Sequence, residues 1–216
     1  MNKIFIQGVF NPFMLKAIIF DFDGTVADTE EILFNGIKKI AQMYGLKDIN
    51  LNDFKNKSAK QIIQKDYKIK FYQLRRFMKE VGKEINDRML KARLFKGMKE
   101  VCEKLSKKYI VGFVTSNKEE RVKHILENAG IKKIDFVFSE KSCLGKNKSI
   151  KKAIKKFRLK KEEVIYVGDE VRDIEAARKA GVKIIAVSYG FNTKEILIKN
   201  RPDFLAEKPE DILRIL

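Results

Sequence analysis

Histidine and cysteine are nearly absent from this chain of 216 residues, which has one His and two Cys. The single histidine, His124, falls inside a helical pattern, so no His or Cys cluster is available to hold zinc. Cys102 and Cys143 form neither a disulfide framework nor a CxxC pair, and a reducing, cytoplasmic setting is the expectation. Long apolar runs are missing too; the longest are strand-sized, so no membrane-spanning helix is expected and no membrane partner. Residues 1–13 carry one early lysine and no small-residue cleavage site. They read as a poor signal peptide, an N-terminal extension to which the sequence assigns no role. Acidic residues are outnumbered, 29 Asp and Glu against 47 Lys and Arg, for a net charge of +18. Such an excess suits a nucleic-acid binder, a site that attracts small anions, or a lysine-rich solubility bias. The basic residues are spread along the whole chain with no dense block.

What is present is an alternation of strand-like and helix-like segments. Continuous apolar runs at 15–20, 109–114, 135–139, 163–168 and 183–188 predict buried strands. Helical spacing at 97–107, 119–129, 149–157 and 171–180 fills the gaps between them, two of these helices being stopped by Gly130 and Gly181. This order predicts an α/β fold, a Rossmann-like parallel sheet with helices on both faces. Residues 30–95 break the alternation. They show helical spacing at Ile32, Leu33, Ile37, Ile40 and Met43, and again from Leu74 to Leu90, with no strong strand. The predicted organisation is an extension at 1–13, a core from 14–29 and 96–216, and a helical insertion at 30–95. Tyr189, Phe191 and the segment 201–216 are expected to complete the sheet and cover its edge.

Open parallel sheets bind ligands beyond the carboxyl ends of their strands. The first strand is followed there by Asp21-Phe22-Asp23-Gly24-Thr25, the second by Thr115-Ser116-Asn117, and that at 163–168 by Asp169-Glu170-Val171-Arg172-Asp173. A basic, glycine-containing loop, Gly145-Lys146-Asn147-Lys148, precedes the last of these. Close carboxylates repel and need a cation between them. Asp21, Asp23, Asp169 and Asp173 offer hard oxygen ligands of the kind Mg²⁺ takes together with water and phosphate. A carboxylate held against Mg²⁺ and phosphate can attack phosphorus. Thr115 offers a hydroxyl, backbone amides near it can hold phosphoryl oxygens, and a lysine from the 145–148 loop would balance the added charge. Each piece also has a plain structural reading: a turn with capping acids, a helix cap at Thr115, caps of the 171–180 helix at Asp169 and Asp173, a solvated lysine.

Taken in order, these segments resemble the haloacid-dehalogenase-like (HAD) superfamily. Its DxDGT motif is Asp21–Thr25, its strand ending in Ser or Thr is Val111–Thr115, and its GDxxxD motif is Gly168–Asp173. The family often has Lys-Pro as its third motif; here there is no proline, and Lys146 or Lys148 stands for it, Lys146 preferred. The resemblance implies Asp21 as nucleophile and Asp23 as general acid and base. It implies a metal held by Asp21, the Asp23 backbone carbonyl and Asp169, with Asp173 near. Thr115 would bind the phosphoryl group, with Ser116, Asn117, Gly24 and Thr25 around it. The insertion falls where the family places a helical C1 cap, and Lys57 and Lys60 within it are candidates to meet a substrate carboxylate. The expectation is a Mg²⁺-dependent phosphatase of a small phosphorylated metabolite, similar to phosphoglycolate phosphatases, monomeric or a homodimer, with no specific nucleic-acid partner. A mutase similar to β-phosphoglucomutase, or a nucleic-acid-binding module, are the alternatives.

Overall fold

The computed structural model describes residues 12–45, 50, 55, 71–140 and 145–216. Its centre is β1 (Ala17–Phe20), four residues all buried. On one side β1 pairs in parallel with β4 (Ile110–Thr115), and β4 with β5 (Phe136–Ser139). The other side carries β6 (Val164–Gly168), β7 (Lys183–Val187) and β8 (Phe204–Ala206), again all parallel. The sheet order is β5-β4-β1-β6-β7-β8. Chain order reverses between β1 and β6, and at such a switch point the loops splay apart and leave a crevice. The five predicted strands lie within two residues of their expected ends. The sixth, β8, comes from the 201–216 segment.

Strand alternation sends neighbouring side chains to opposite faces. Ile18 and Phe20 of β1 join Val111, Phe113, Ile165 and Val167 in one apolar layer. Helices α4 (Met98–Leu105), α5 (Glu119–Asn128) and α9 (Pro209–Ile215) cover it through Val101, Leu126 and Ile212, among others. Ala17 and Ile19 face the other layer with Tyr166 and Ile184. That side is closed by α6 (Lys146–Lys156), α7 (Val171–Ala180) and α8 (Lys194–Lys199), through Ile150, Ile174 and Leu197. A sheet buried on both faces needs apolar residues at every strand position, which is why these strands read as unbroken apolar runs.

The helical insertion has a core of its own. Helix α1 (Glu30–Met43) packs against α2 (Phe71–Glu84) and α3 (Asn86–Met89) around Ile40, Ala41, Phe77, Val81, Ile85 and Met89. Gly36 allows the close approach: a Cβ there would lie 2.1 Å from Ile85 Cγ2. The insertion leaves and rejoins the core through a ribbon that the sequence did not suggest. Two-residue strands β2 (Ala27–Asp28) and β3 (Arg93–Leu94) pair antiparallel. So short a strand carries no periodicity to detect.

Candidate active site

The site lies at the carboxyl end of β1. The Asp21 side chain is buried, and its Oδ2 is 2.8 Å from Lys146 Nζ. Lys146 Nζ is also 2.5 Å from Asp173 Oδ1. Lys146 is 3% exposed whereas Lys148 is exposed, so the geometry brings Lys146 and not its rival to the carboxylates. One expectation is corrected here: Lys146–Lys148 do not form a loop but open α6, with Gly145 as its N-cap. The lysine therefore projects from a helix end rather than from flexible chain.

Asp169 is completely buried and held from two sides. The Thr25 hydroxyl donates to its Oδ1 at 2.8 Å and the Phe191 backbone N–H to its Oδ2 at 2.8 Å. Asp173 Oδ2 accepts the Glu170 N–H at 3.0 Å, closing a capping box at the start of α7. The structural and chemical readings of Asp173 thus coexist: one oxygen caps the helix, the other fixes Lys146. Ligand oxygens of Asp21, Asp169 and Asp173 all lie within 4.8 Å of one another.

These neighbours shift their protonation. Burial pushes Asp21 from 3.8 up to about 7, opposed by the Lys146 ammonium. Asp169 is raised well above the usual carboxylate range by burial and by the charges of Glu170, Asp21 and Asp173. Burial alone would discharge Lys146, but Asp173 and Asp21 outweigh it and hold the lysine charged. Three buried carboxylates against one buried ammonium leave an excess of negative charge that a small divalent cation would neutralise. The donors are all oxygen, and the set fits Mg²⁺ by charge and by ligand type.

Asp23 stands apart from this group. It is half-buried, and its Oδ1 and Oδ2 accept from Asn117 Nδ2 at 3.0 and 2.8 Å. Its carboxylate therefore does not join the three-acid cluster, which leaves the backbone carbonyl as its candidate metal ligand. Burial lifts Asp23 from 3.8 to about 6, with the Thr29 hydroxyl, Lys146, Arg172 and Arg121 acting in the opposite direction.

Thr115 is buried at the end of β4, and its Oγ1 accepts the Asn117 N–H at 3.0 Å; Ser116 is exposed. Gly24 and Thr25 both lie against Asp169. Thr25 is buried, with its hydroxyl against Asp169. Gly24 has φ +77°, and a Cβ there would lie 2.2 Å from Asp169 Oδ2 and 2.4 Å from the Phe191 ring. Lys57 and Lys60, like Cys143, lie outside the described residues. His124 is an exposed helix residue bonded to Asn128. Tyr189 and Phe191 were expected at the sheet edge. Instead Tyr189 Oη donates to the Thr25 carbonyl at 3.1 Å, and the Phe191 amide grips Asp169.

The structure adds residues that the sequence did not single out. Asn192 Oδ1 accepts the Val171 N–H at 2.9 Å, and its Nδ2 donates to the Lys55 carbonyl in the insertion at 3.2 Å. The signal was readable, because these residues follow a strand, β7, whose carboxyl end faces the same crevice. A separate groove of about 500 Å³ at the amino ends of β6 and β7, lined by Lys161, Arg178 and Lys183 among others, contains none of the site residues.

A parallel sheet with clustered carboxylates and a buried lysine at its switch point defines an α/β core with an acidic, oxygen-rich site. Residues 18–187 match the haloacid dehalogenase-like hydrolase family, and the chain belongs to it. A phosphoglycolate phosphatase of Synechococcus elongatus is 29% identical over 93% of this chain and 96% of its own length. A pyrophosphatase of Bacillus thuringiensis is 25% identical, covering 94% of this chain and 96% of itself. Among solved structures, a haloacid dehalogenase-like hydrolase of Streptococcus pneumoniae superposes with a TM-score of 0.79 at 21% identity, over 94% of this chain and 99% of that one. That likeness speaks for the fold. Among the described residues, no helix is long and apolar enough to cross a membrane.

Proposed function

We propose that this hydrolase is a Mg²⁺-dependent phosphatase of small anionic phosphomonoesters, acting in the cytoplasm through an aspartyl-phosphate on Asp21. The observation that carries the reading is a buried Asp21 placed 2.8 Å from the Lys146 ammonium and among the oxygens of Asp169 and Asp173. Asp21, the Asp23 carbonyl and Asp169 would hold the metal, with Asp173 behind them. Bound Mg²⁺ would keep Asp21 ionised and draw charge from the phosphoryl oxygens.

The chain's own groups do the rest. Asp21 attacks phosphorus, forming an Asp21 O–P bond as the ester P–O bond breaks. Lys146, fixed by Asp173, balances the negative charge that gathers there. Thr115 and the amides beside it bind phosphoryl oxygens. Asp23 gives its proton to the leaving oxygen, then takes one from the water that hydrolyses the acyl phosphate. A carboxyl pushed up to about 6 suits both roles near neutral pH, since it holds and releases a proton there.

The 29% identity to a phosphoglycolate phosphatase makes 2-phosphoglycolate the first substrate to test, with Lys57 and Lys60 as candidate partners for its carboxylate. The likeness to a pyrophosphatase makes inorganic pyrophosphate the second. The test is phosphate release from a panel of both compounds, sugar phosphates and an aryl phosphate, with and without Mg²⁺. Asp21→Asn is expected to lose turnover by roughly a thousandfold or more while remaining folded. Equal turnover by that variant, or turnover independent of Mg²⁺, would overturn the reading.

A further inference from the structure

Among the described residues, a side-chain path from the insertion to Asp23 runs through Arg121, at the start of α5. Arg121 Nη1 donates to Asn117 Oδ1 at 2.7 Å, and Nη2 donates to Asn86 Oδ1 of α3 at 2.5 Å. Asn117 in turn gives its amide nitrogen to both oxygens of Asp23. An asparagine amide has two ends, an acceptor oxygen and a donor nitrogen, and the surrounding bonds decide which way it faces. A guanidinium only donates. It therefore captures the Asn117 oxygen and turns the nitrogen toward Asp23.

From this we infer that Arg121 is a positioning residue that keeps the Asp23 proton available to the leaving group and ties that state to the seating of the insertion. Asn117 presents only N–H groups to Asp23, so Asp23 cannot donate its proton to that amide. The proton is left for the leaving oxygen. Without Arg121 the amide can turn over, and its oxygen then accepts the Asp23 O–H and draws it away from the substrate. Asn86 places the other end of Arg121 on the insertion, so the bridge is complete only when α3 sits against the core. This rests on the acid and base role proposed for Asp23, and the test separates the two.

The measurement is kcat/KM for a small alkyl phosphate that the wild type turns over and for 4-nitrophenyl phosphate. That ratio reports steps up to departure of the leaving group, before the acyl phosphate is hydrolysed. An alkoxide needs a proton to leave; a nitrophenolate does not. Arg121→Ala is expected to lower kcat/KM for the alkyl ester by roughly 10- to 100-fold, and for the aryl ester by no more than about threefold. Asn86→Ala, an exposed position that leaves the core packing untouched, is expected to shift the same ratio by about threefold or more. The double variant should match Arg121→Ala. Equal losses on both esters, no loss on either, or additive losses in the double variant would overturn the inference. Failure of the phosphatase reading looks different: wild type inactive on both esters with Mg²⁺, or Asp21→Asn as active as wild type.

Discussion

In metal-free protein, replacing Asp21 by Asn should increase stability, although it destroys the proposed nucleophile. Asp21 has an ordinary value of 3.8 and a folded value of about 7, raised chiefly by burial. A carboxyl whose folded value is raised binds protons more tightly folded than unfolded. Stability therefore falls as pH rises from about 4 through about 7. Above that window the ionised carboxylate costs about 4 kcal/mol, at about 1.4 kcal/mol per pH unit. Asparagine has no charge to bury, yet its amide oxygen can still accept from Lys146. Some of the gain is lost because Lys146 then faces Asp173 alone, and a net gain of about 2 kcal/mol is expected at pH 8. For a chain of this size that is a rise in Tm of about 4–8 °C. Thermal melts in a chelator between pH 5 and pH 8 read it directly. Wild type should weaken across the range, and the variant should change less. Saturating Mg²⁺ should then restore more stability to wild type than to the variant. A variant no more stable than wild type at pH 8, or wild-type stability that rises with pH in chelator, would refute the electrostatic account of the site.

Two further substitutions probe the support of Asp169. Thr25→Val removes the hydroxyl bond to Oδ1 and should weaken Mg²⁺ dependence by roughly 10- to 100-fold, measured as the Mg²⁺ concentration for half-maximal rate, with KM for substrate little changed. Gly24→Ala sets a Cβ 2.2 Å from Asp169 Oδ2 at a φ of +77°, and should cost about 1–3 kcal/mol in chemical denaturation as well as Mg²⁺ affinity.

The clustered carboxylates can be read from the chain because the fold places them by rule. Asp21 and Asp169 each follow an apolar strand directly, and a parallel sheet brings such positions to one edge. Lys146 was harder. Gly145 offers no side-chain cap, and without a proline or capping residue the pattern points to a helix start at Ser149, three residues after the observed one. The support of Asp169 at Phe191 reads in sequence as part of the sheet edge, since a backbone N–H leaves no mark in residue type. Arg121 could not be read at all. An arginine on a helix resembles any solvated charge until the structure shows Asn86, 35 residues away in sequence, at its other end. Gly24 and Thr25 belong to the motif, and the structure adds that the Thr25 hydroxyl holds Asp169 while Gly24 leaves room for that carboxylate.

The ribbon of Ala27–Asp28 against Arg93–Leu94 has a consequence for the architecture as a whole. Chain that departs at Asp28 returns beside its point of departure, so the sheet meets the long excursion as it would a short hairpin. Lengthening such a loop adds only logarithmically to its closure entropy. What the excursion contains can therefore change while Asp21 and Asp169 keep their places. The insertion and the carboxylate cluster thus belong to different stretches of one polypeptide, joined at a stem two residues wide.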